Sequence, residues 1–288
     1  VTGPKGDGKT TGCRNYGLNL FLKDNTSEFC VIRRTKTETQ KAYKKYFAVF
    51  ALPTMIAFTL FFIVPFLTGI LLSFCKFTTV NNATWVGTAN YIRAFSNEEF
   101  VNALWFTIKY TVVSMITINF FAFALAYALT RGIKGTNLFR TVFFMPNLIG
   151  GIVLGYIWQL MINGILGHFN VTLTSDPKYG FWGLVILTNW QLIGYMMIIY
   201  IAGIQNIPTE LIEAAQIDGA TRFQALRYVT LPMVMSSITI CLFLTMTNSF
   251  KMFDQNLALT AGGPGKSTSM LALDIFNTFY GRNGWEGV

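Results

Sequence analysis

Charge is what this sequence has least of. Asp, Glu, Lys and Arg make up 12% of its 288 residues, about half their share in an ordinary soluble domain. It has one histidine, His168, and four cysteines, Cys13, Cys30, Cys75 and Cys241, with no paired ligand spacing. Neither a metal site nor a disulfide framework is supported by that pattern. The long apolar blocks hold almost no ionisable residue, so there is no Ser-His-Asp set, no pair of catalytic carboxylates and no metal cluster at membrane depth. A membrane-embedded enzyme needs such groups, and His168, near the end of an apolar block, reads as a lone interfacial residue. The chain also has no initiator methionine at position 1, where Val1 stands.

What fills the space is apolar: 52% hydrophobic and 16% aromatic residues, the composition of an all-α polytopic membrane protein. The net charge of +9 does not indicate nucleic acid, because the basic residues sit beside the apolar blocks, where they mark membrane topology. Six bases (Arg33, Arg34, Lys36, Lys41, Lys44, Lys45) precede a charge-free run from Tyr46 to Cys75. We therefore divide the chain into a polar, basic cytoplasmic tail, 1–45, and a transmembrane domain, 46–288. The spans are expected at about 47–75, 103–130, 141–165, 181–204 and 231–252, with Pro53 and Pro65 punctuating the first. With the N-terminus inside, the inner segments carry eleven bases against seven in the longer outer ones, a balance that favours this orientation.

Near the start, Gly3-Pro4-Lys5-Gly6-Asp7-Gly8-Lys9-Thr10 fits the phosphate-loop spacing of Gly, four residues, Gly-Lys-Thr. That loop needs a buried strand before it, and only Val1 and Thr2 precede it. We read the match as chance within a Gly- and Lys-rich tail; a nucleotide-binding protein is the alternative it leaves, and it predicts ATP binding by the purified chain alone.

One polar stretch, 207–230, separates the fourth and fifth blocks. Pro208 blocks helix upstream, Thr209 is placed to cap, and Glu210 and Glu213 fall in the first turns, where the helix dipole favours negative charge. This predicts a short helix from about Thr209 to Asp218, ended by Gly219. A capping box, Thr221-Arg222-Phe223-Gln224, then opens a second short helix that Pro232 interrupts. The pair is too polar to cross a bilayer.

The stretch resembles the cytoplasmic coupling motif of bacterial ABC importer permeases, through Glu213-Ala214-Ala215, Asp218-Gly219-Ala220 and, about ten residues on, Leu231-Pro232. Leu226 and Val229 stand where many sugar permeases have Phe and Ile, a change that keeps apolar character. Trp85-Val86-Gly87 with Asn90-Tyr91, and Phe139-Arg140-Thr141 with Phe144-Met145-Pro146, are similar to carbohydrate permeases of the type that pairs with a second, different permease. The resemblance runs from about Phe47 to Gly284. It implies an ABC importer permease core with five spans present and a sixth missing after the outer segment Leu259-Thr260-Ala261-Gly262-Gly263-Pro264. Ser269 to Tyr280 are expected to form an amphipathic external helix. We expect the natural chain to continue past both ends, a natural five-span variant being the alternative.

The resemblance further implies a second homologous permease, two ATPase subunits docked on the coupling loop, an extracytoplasmic solute-binding protein and a bacterial plasma (inner) membrane. It implies no cofactor in this chain, because the partner subunits use the ATP. The implied solute is a sugar or a related polyol or glycerol phosphate, with a non-carbohydrate solute as the alternative. Polar groups at membrane depth are costly unless they face a cavity or a partner, so Asn189, Gln191 and Tyr195 in span four, and Thr245, Asn248 and Ser249 in span five, are the substrate-pathway candidates. Trp190 and Phe250 are placed to offer aromatic faces to a sugar ring. The same polar residues also suit bonds between neighbouring helices.

Overall fold

The computed structural model describes residues 47, 49–76, 82–132 and 134–280; the tail 1–45, with its phosphate-loop spacing and basic cluster, lies outside the described residues. The chain divides into two units, Val1–Cys75 and Lys76–Val288.

In the first unit, α1 (Val49–Ser73) is a 25-residue apolar helix with no buried residue. At 1.5 Å per residue it spans roughly 38 Å, more than a hydrocarbon core of about 30 Å. Its turn widens over Thr59–Ile63, just before Pro65. Proline has no N–H to donate, and a wider turn absorbs the misfit within the helix.

Among the described residues of the second unit the regular elements are helices, apart from short strand segments at Lys76 and Thr84–Trp85. After α2 (Ala89–Ser96), the Asn97 side chain accepts from the Glu99 N–H at 3.0 Å and opens α3 (Glu98–Leu129), a 32-residue helix with Glu98 and Glu99 in its first turn. Next come α4 (Thr136–Phe144), a tight turn at Met145–Leu148, and α5 (Gly151–Gly167). Asp176 caps α6 (Pro177–Gln205) by accepting from the Lys178 N–H at 2.7 Å, with Pro177 at the first helical position. Beyond α6 lie α7 (Thr209–Ile217), α8 (Arg222–Met233), α9 (Met235–Phe250), α10 (Asp254–Leu259) and α11 (Leu271–Tyr280).

Three of these helices, α1, α3 and α6, are long and apolar enough to cross a membrane singly. The spans expected at 141–165 and 231–252 are instead bent pairs, α4 with α5 at 101° and α8 with α9 at 70°. The first bend follows Pro146, where Ile149 and Gly150 adopt extended backbone with ψ of 132° and 139°. The second follows Pro232: the turn widens over Leu226–Thr230, and Val234, with ψ near 11°, separates the two helices. The interruption at Pro232 was expected from the sequence, whereas the break after Pro146 lies inside an apolar run that continues through it.

Two buried apolar clusters hold α3, α6 and their neighbours together. One gathers Ile118, Ala122 and Ala126 of α3, Met196, Met197, Tyr200 and Ile201 of α6, and Cys241 of α9. The other joins Tyr110, Leu154, Leu184, Leu187, Met252, Leu259 and Met270. Between membrane helices such contacts gain mainly from close packing, which places small residues where backbones meet. Gly194 of α6 lies against the Phe143 carbonyl of α4, and a Cβ on Gly155 of α5 would stand 2.6 Å from that of Ala258 on α10.

Candidate functional site

The stretch after α6 folds into two capped short helices. Pro208 occupies the cap position of α7 and no side chain caps it; Thr209, expected as the cap, is the first helical residue, because the extended ψ of Pro208, 130°, already turns the chain there. At the other end the Gly219 N–H donates to the Gln216 carbonyl at 3.1 Å and the Ala220 N–H to the Ala215 carbonyl at 2.9 Å, with Gly219 at φ +79°. This pair of bonds is a Schellman closure, and its left-handed residue explains the glycine. Nothing lies within 4 Å of where a Gly219 Cβ would be, so backbone conformation and not space selects Gly there.

The capping box is complete: the Thr221 hydroxyl accepts from the Gln224 N–H at 3.3 Å, and the Gln224 side-chain carbonyl accepts from the Thr221 N–H at 2.7 Å. Glu213, Ala214, Ala215, Asp218, Gly219 and Ala220 thus belong to one helix and its closure. Leu231 and Pro232 lie in α8, beyond the widened turn. The loop buries nothing between Pro208 and Val229, and it presents Ile217, Phe223 and Tyr228 at 86%, 74% and 75% exposure beside the exposed Glu213 and Asp218. Large apolar side chains clustered on an otherwise polar loop mark a surface for a protein partner.

The pathway candidates divide by what their polar atoms already do. Gln191 accepts from the Gln255 amide at 2.9 Å and donates to the Ile149 carbonyl at 3.5 Å, linking α6 to α10 and to the break before α5. Thr245 donates to the Cys241 carbonyl at 2.7 Å and accepts from the Asn119 amide at 3.2 Å. Asn189 donates to the Thr117 hydroxyl at 2.9 Å and to the Val185 carbonyl, and its buried side-chain oxygen has no partner among the described residues. The buried Ser249 hydroxyl has none among them either. Asn248 and Tyr195 are half-buried, and neither polar group has a partner among the described residues; the Tyr195 ring lies 6.5 Å from that of Phe144. Trp190 faces Trp158 at 5.5 Å, and Phe250 is exposed.

Several polar residues at the site escaped the sequence reading. Asn119 and Tyr200 join α3 to α6 and α9. In α10, Asn256, fully buried, donates to the Thr260 hydroxyl and the Thr268 carbonyl at 3.0 and 2.8 Å and accepts from the Met270 N–H at 2.9 Å. It holds the loop that contains Gly262 and Pro264. That loop is tied to α3 by the Leu271 N–H donating to the Thr107 hydroxyl at 2.9 Å and by Lys266 pairing with Glu99 at 2.6 Å. Beside this pair, burial pushes the Asp274 carboxyl up from the ordinary carboxylate range; Lys266 opposes the rise and Glu99 adds to it. His168 ends α5, exposed, with its ring 3.1 Å from the Gly164 carbonyl. The signal for Asn119 is present in the sequence, as a single amide deep in a long apolar helix.

An apolar helical bundle with two bent helix pairs and one capped polar loop is the architecture of an ABC importer permease core. The chain superposes with a TM-score of 0.70 on a crystal structure of a bacterial ABC transporter involved in the import of the acidic polysaccharide alginate, at 21% identity, covering 85% of this chain and 88% of that one. Residues 118–283 match the family of binding-protein-dependent transport system inner membrane components. A probable starch degradation products transport system permease protein of Thermoanaerobacterium thermosulfurigenes is 41% identical over 82% of this chain and 83% of its own length. The trehalose/maltose transport system permease protein of Thermococcus litoralis is 29% identical over 79% and 81%. The chain therefore belongs to this permease family and is a multi-pass inner-membrane protein.

Proposed function

We propose that this chain is half of the translocation pathway of an ATP-driven importer that takes a sugar, or a related polyol or glycerol phosphate, from an extracytoplasmic binding protein. Its relatives support that solute class: besides the two above, an sn-glycerol-3-phosphate transport system permease protein of Agrobacterium fabrum is 29% identical over 68% of this chain. A second homologous permease completes the pathway, and two ATPase subunits supply the work. The N-terminus lies in the cytoplasm, as the basic flank of α1 indicates, and the chain itself carries out no chemistry.

The observation that carries the reading is the loop 207–230, whose two helix caps hold Ile217, Phe223 and Tyr228 out of the protein. We assign Glu213, Ala214, Ala215, Asp218, Gly219, Ala220, Leu231 and Pro232 to coupling with the ATPase. The solute passes along α6 and α9. Asn189, Tyr195, Asn248 and Ser249 offer it hydroxyls and amides, while Gln191 and Thr245 shape the passage through their bonds to Gln255 and Asn119.

The test is reconstitution of the four-subunit complex in proteoliposomes with the loaded binding protein and a maltodextrin as first probe. Import should require ATP and every subunit, and Gly219→Pro should abolish import while assembly survives, because proline cannot adopt φ +79°. Normal import by assembled Gly219→Pro complexes would refute the coupling assignment.

A further inference from the structure

The two arms that carry the coupling loop, α6 and α9, are both bonded to one side chain of a third helix. The Tyr200 hydroxyl of α6 donates to the Asn119 side-chain oxygen at 2.7 Å. The Asn119 amide donates one hydrogen to the Thr245 hydroxyl of α9 at 3.2 Å and the other to the Met115 carbonyl of its own helix at 2.7 Å. Every hydrogen-bonding atom of the carboxamide is in use. The opposite orientation of the amide would face the Met115 carbonyl with an oxygen, so the network fixes the side chain in one sense. Tyr200 and Thr245 are 1% and 0% exposed, and Asn119 is 8% exposed.

The surroundings of this junction are apolar: Ile118, Ala122, Met196, Met197 and Cys241. Apolar contacts are non-directional, and helices held by them alone slide past one another at little cost. Hydrogen bonds at 2.7 and 3.2 Å have one register. The junction is therefore the point at which the relative height of α3, α6 and α9 is set.

The helix bearing Asn119 continues outward. Twelve residues up, roughly 18 Å along α3, the Thr107 hydroxyl accepts from the Leu271 N–H, and at the first turn Glu99 holds Lys266 of the outer loop. One contiguous line of directional contacts thus runs from the coupling loop through α6 and α9 to Asn119, and along α3 to the loop pinned by Asn256.

We infer that Asn119 is a positioning residue that clamps α3, α6 and α9 into one moving body, so that displacement of the coupling loop reaches α3 and the outer loop as well as the two helices joined to it in sequence. The inference rests on the coupling reading of 207–230. It assigns Tyr200 and Thr245 as the two jaws of the clamp and gives α3, which does not adjoin the coupling loop in sequence, a part in transmission.

The test uses the complete complex in proteoliposomes and two readouts, solute imported per ATP hydrolysed and stimulation of ATPase by loaded binding protein, both per assembled complex. Tyr200→Phe keeps the ring and removes one oxygen; Thr245→Val keeps the shape and removes the other jaw. Each should lower both readouts by about three-fold or more, the scale of a residue within a transmitting network. Thr245→Ser, which retains the hydroxyl, should restore them, and Tyr200→Phe should leave ATPase without binding protein unchanged. If import per ATP and stimulation stay at the wild-type level in assembled Tyr200→Phe and Thr245→Val complexes, whatever their thermal stability, the contacts only tie helices together and the inference is overturned. Failure of both isosteric variants to assemble overturns it too, since the junction is then an assembly determinant. Gly219→Pro run in parallel separates the two readings: normal import there, with both clamp variants impaired, refutes the loop assignment and, with it, transmission from the loop, leaving only the joining of α3, α6 and α9 into one body.

Discussion

Gly194→Ala adds one methyl group where α6 crosses α4. The new Cβ would overlap the Phe143 carbonyl and lie 2.8 Å from the Phe144 nitrogen, and neither group can swing aside because both are backbone. The helices must separate, which also loosens the cluster around Met196 and Met197 on the next turn of α6. Overpacking of this kind costs about 1–3 kcal/mol. For a chain of 288 residues a loss of about 2 kcal/mol lowers the thermal midpoint by roughly 3–4 °C. The assay is thermal unfolding of the purified complex at one fixed scan rate, since a membrane assembly unfolds irreversibly. Gly164→Ala of α5 is the control: nothing lies within 4 Å of its added Cβ, and relief of glycine's entropy cost in a helix is worth about 0.4–1 kcal/mol in the stabilising direction. A Gly194→Ala midpoint equal to or above that of the wild type would refute the close crossing of α4 and α6.

In a background lacking Cys13, Cys30, Cys75 and Cys241, a cysteine replacing Thr221 should resist an impermeant thiol reagent outside intact cells and one replacing Ser175 should react; the reverse pattern overturns the orientation. Gln191→Leu removes the partner of Gln255, and a buried hydrogen bond of this sort is worth on the order of 1 kcal/mol. If Gln191 shapes the passage, solute affinity falls along with complex stability, whereas lost stability with unchanged affinity restricts it to joining helices. Asp274 has its carboxyl pKa raised in the folded chain, so its neutral form is favoured there: the stability this contributes is full below the ordinary carboxylate value of about 3.9 and is lost as pH rises through the folded value. Asp274→Asn should flatten that acid-side slope in a pH series of thermal midpoints and stabilise the protein at neutral pH, and an unchanged slope would remove Asp274 as its source.

Much of the architecture was legible because its causes are local. Apolar run length and flanking bases place spans whatever packs against them. The polar loop 207–230 was readable to the residue at its closure and capping box, since Gly219 and the Thr221–Gln224 pair act within a few residues of themselves. Thr209 misled for a related reason: its side chain suits a cap, but Pro208 took the position through its own backbone.

What only the tertiary structure decided is how each polar residue inside the membrane is used. Thr245 and Asn248 look equivalent in sequence, yet one is locked against Asn119, 126 positions away, and the other has no partner among the described residues. The 101° bend between α4 and α5, the close approach at Gly194 and the convergence of Tyr200 and Thr245 on Asn119 belong to the same class. Hydropathy averages over a window and says where a helix is buried in lipid. Which neighbour accepts a given hydrogen bond depends on helix crossing and register, and these are set by contacts between residues far apart along the chain.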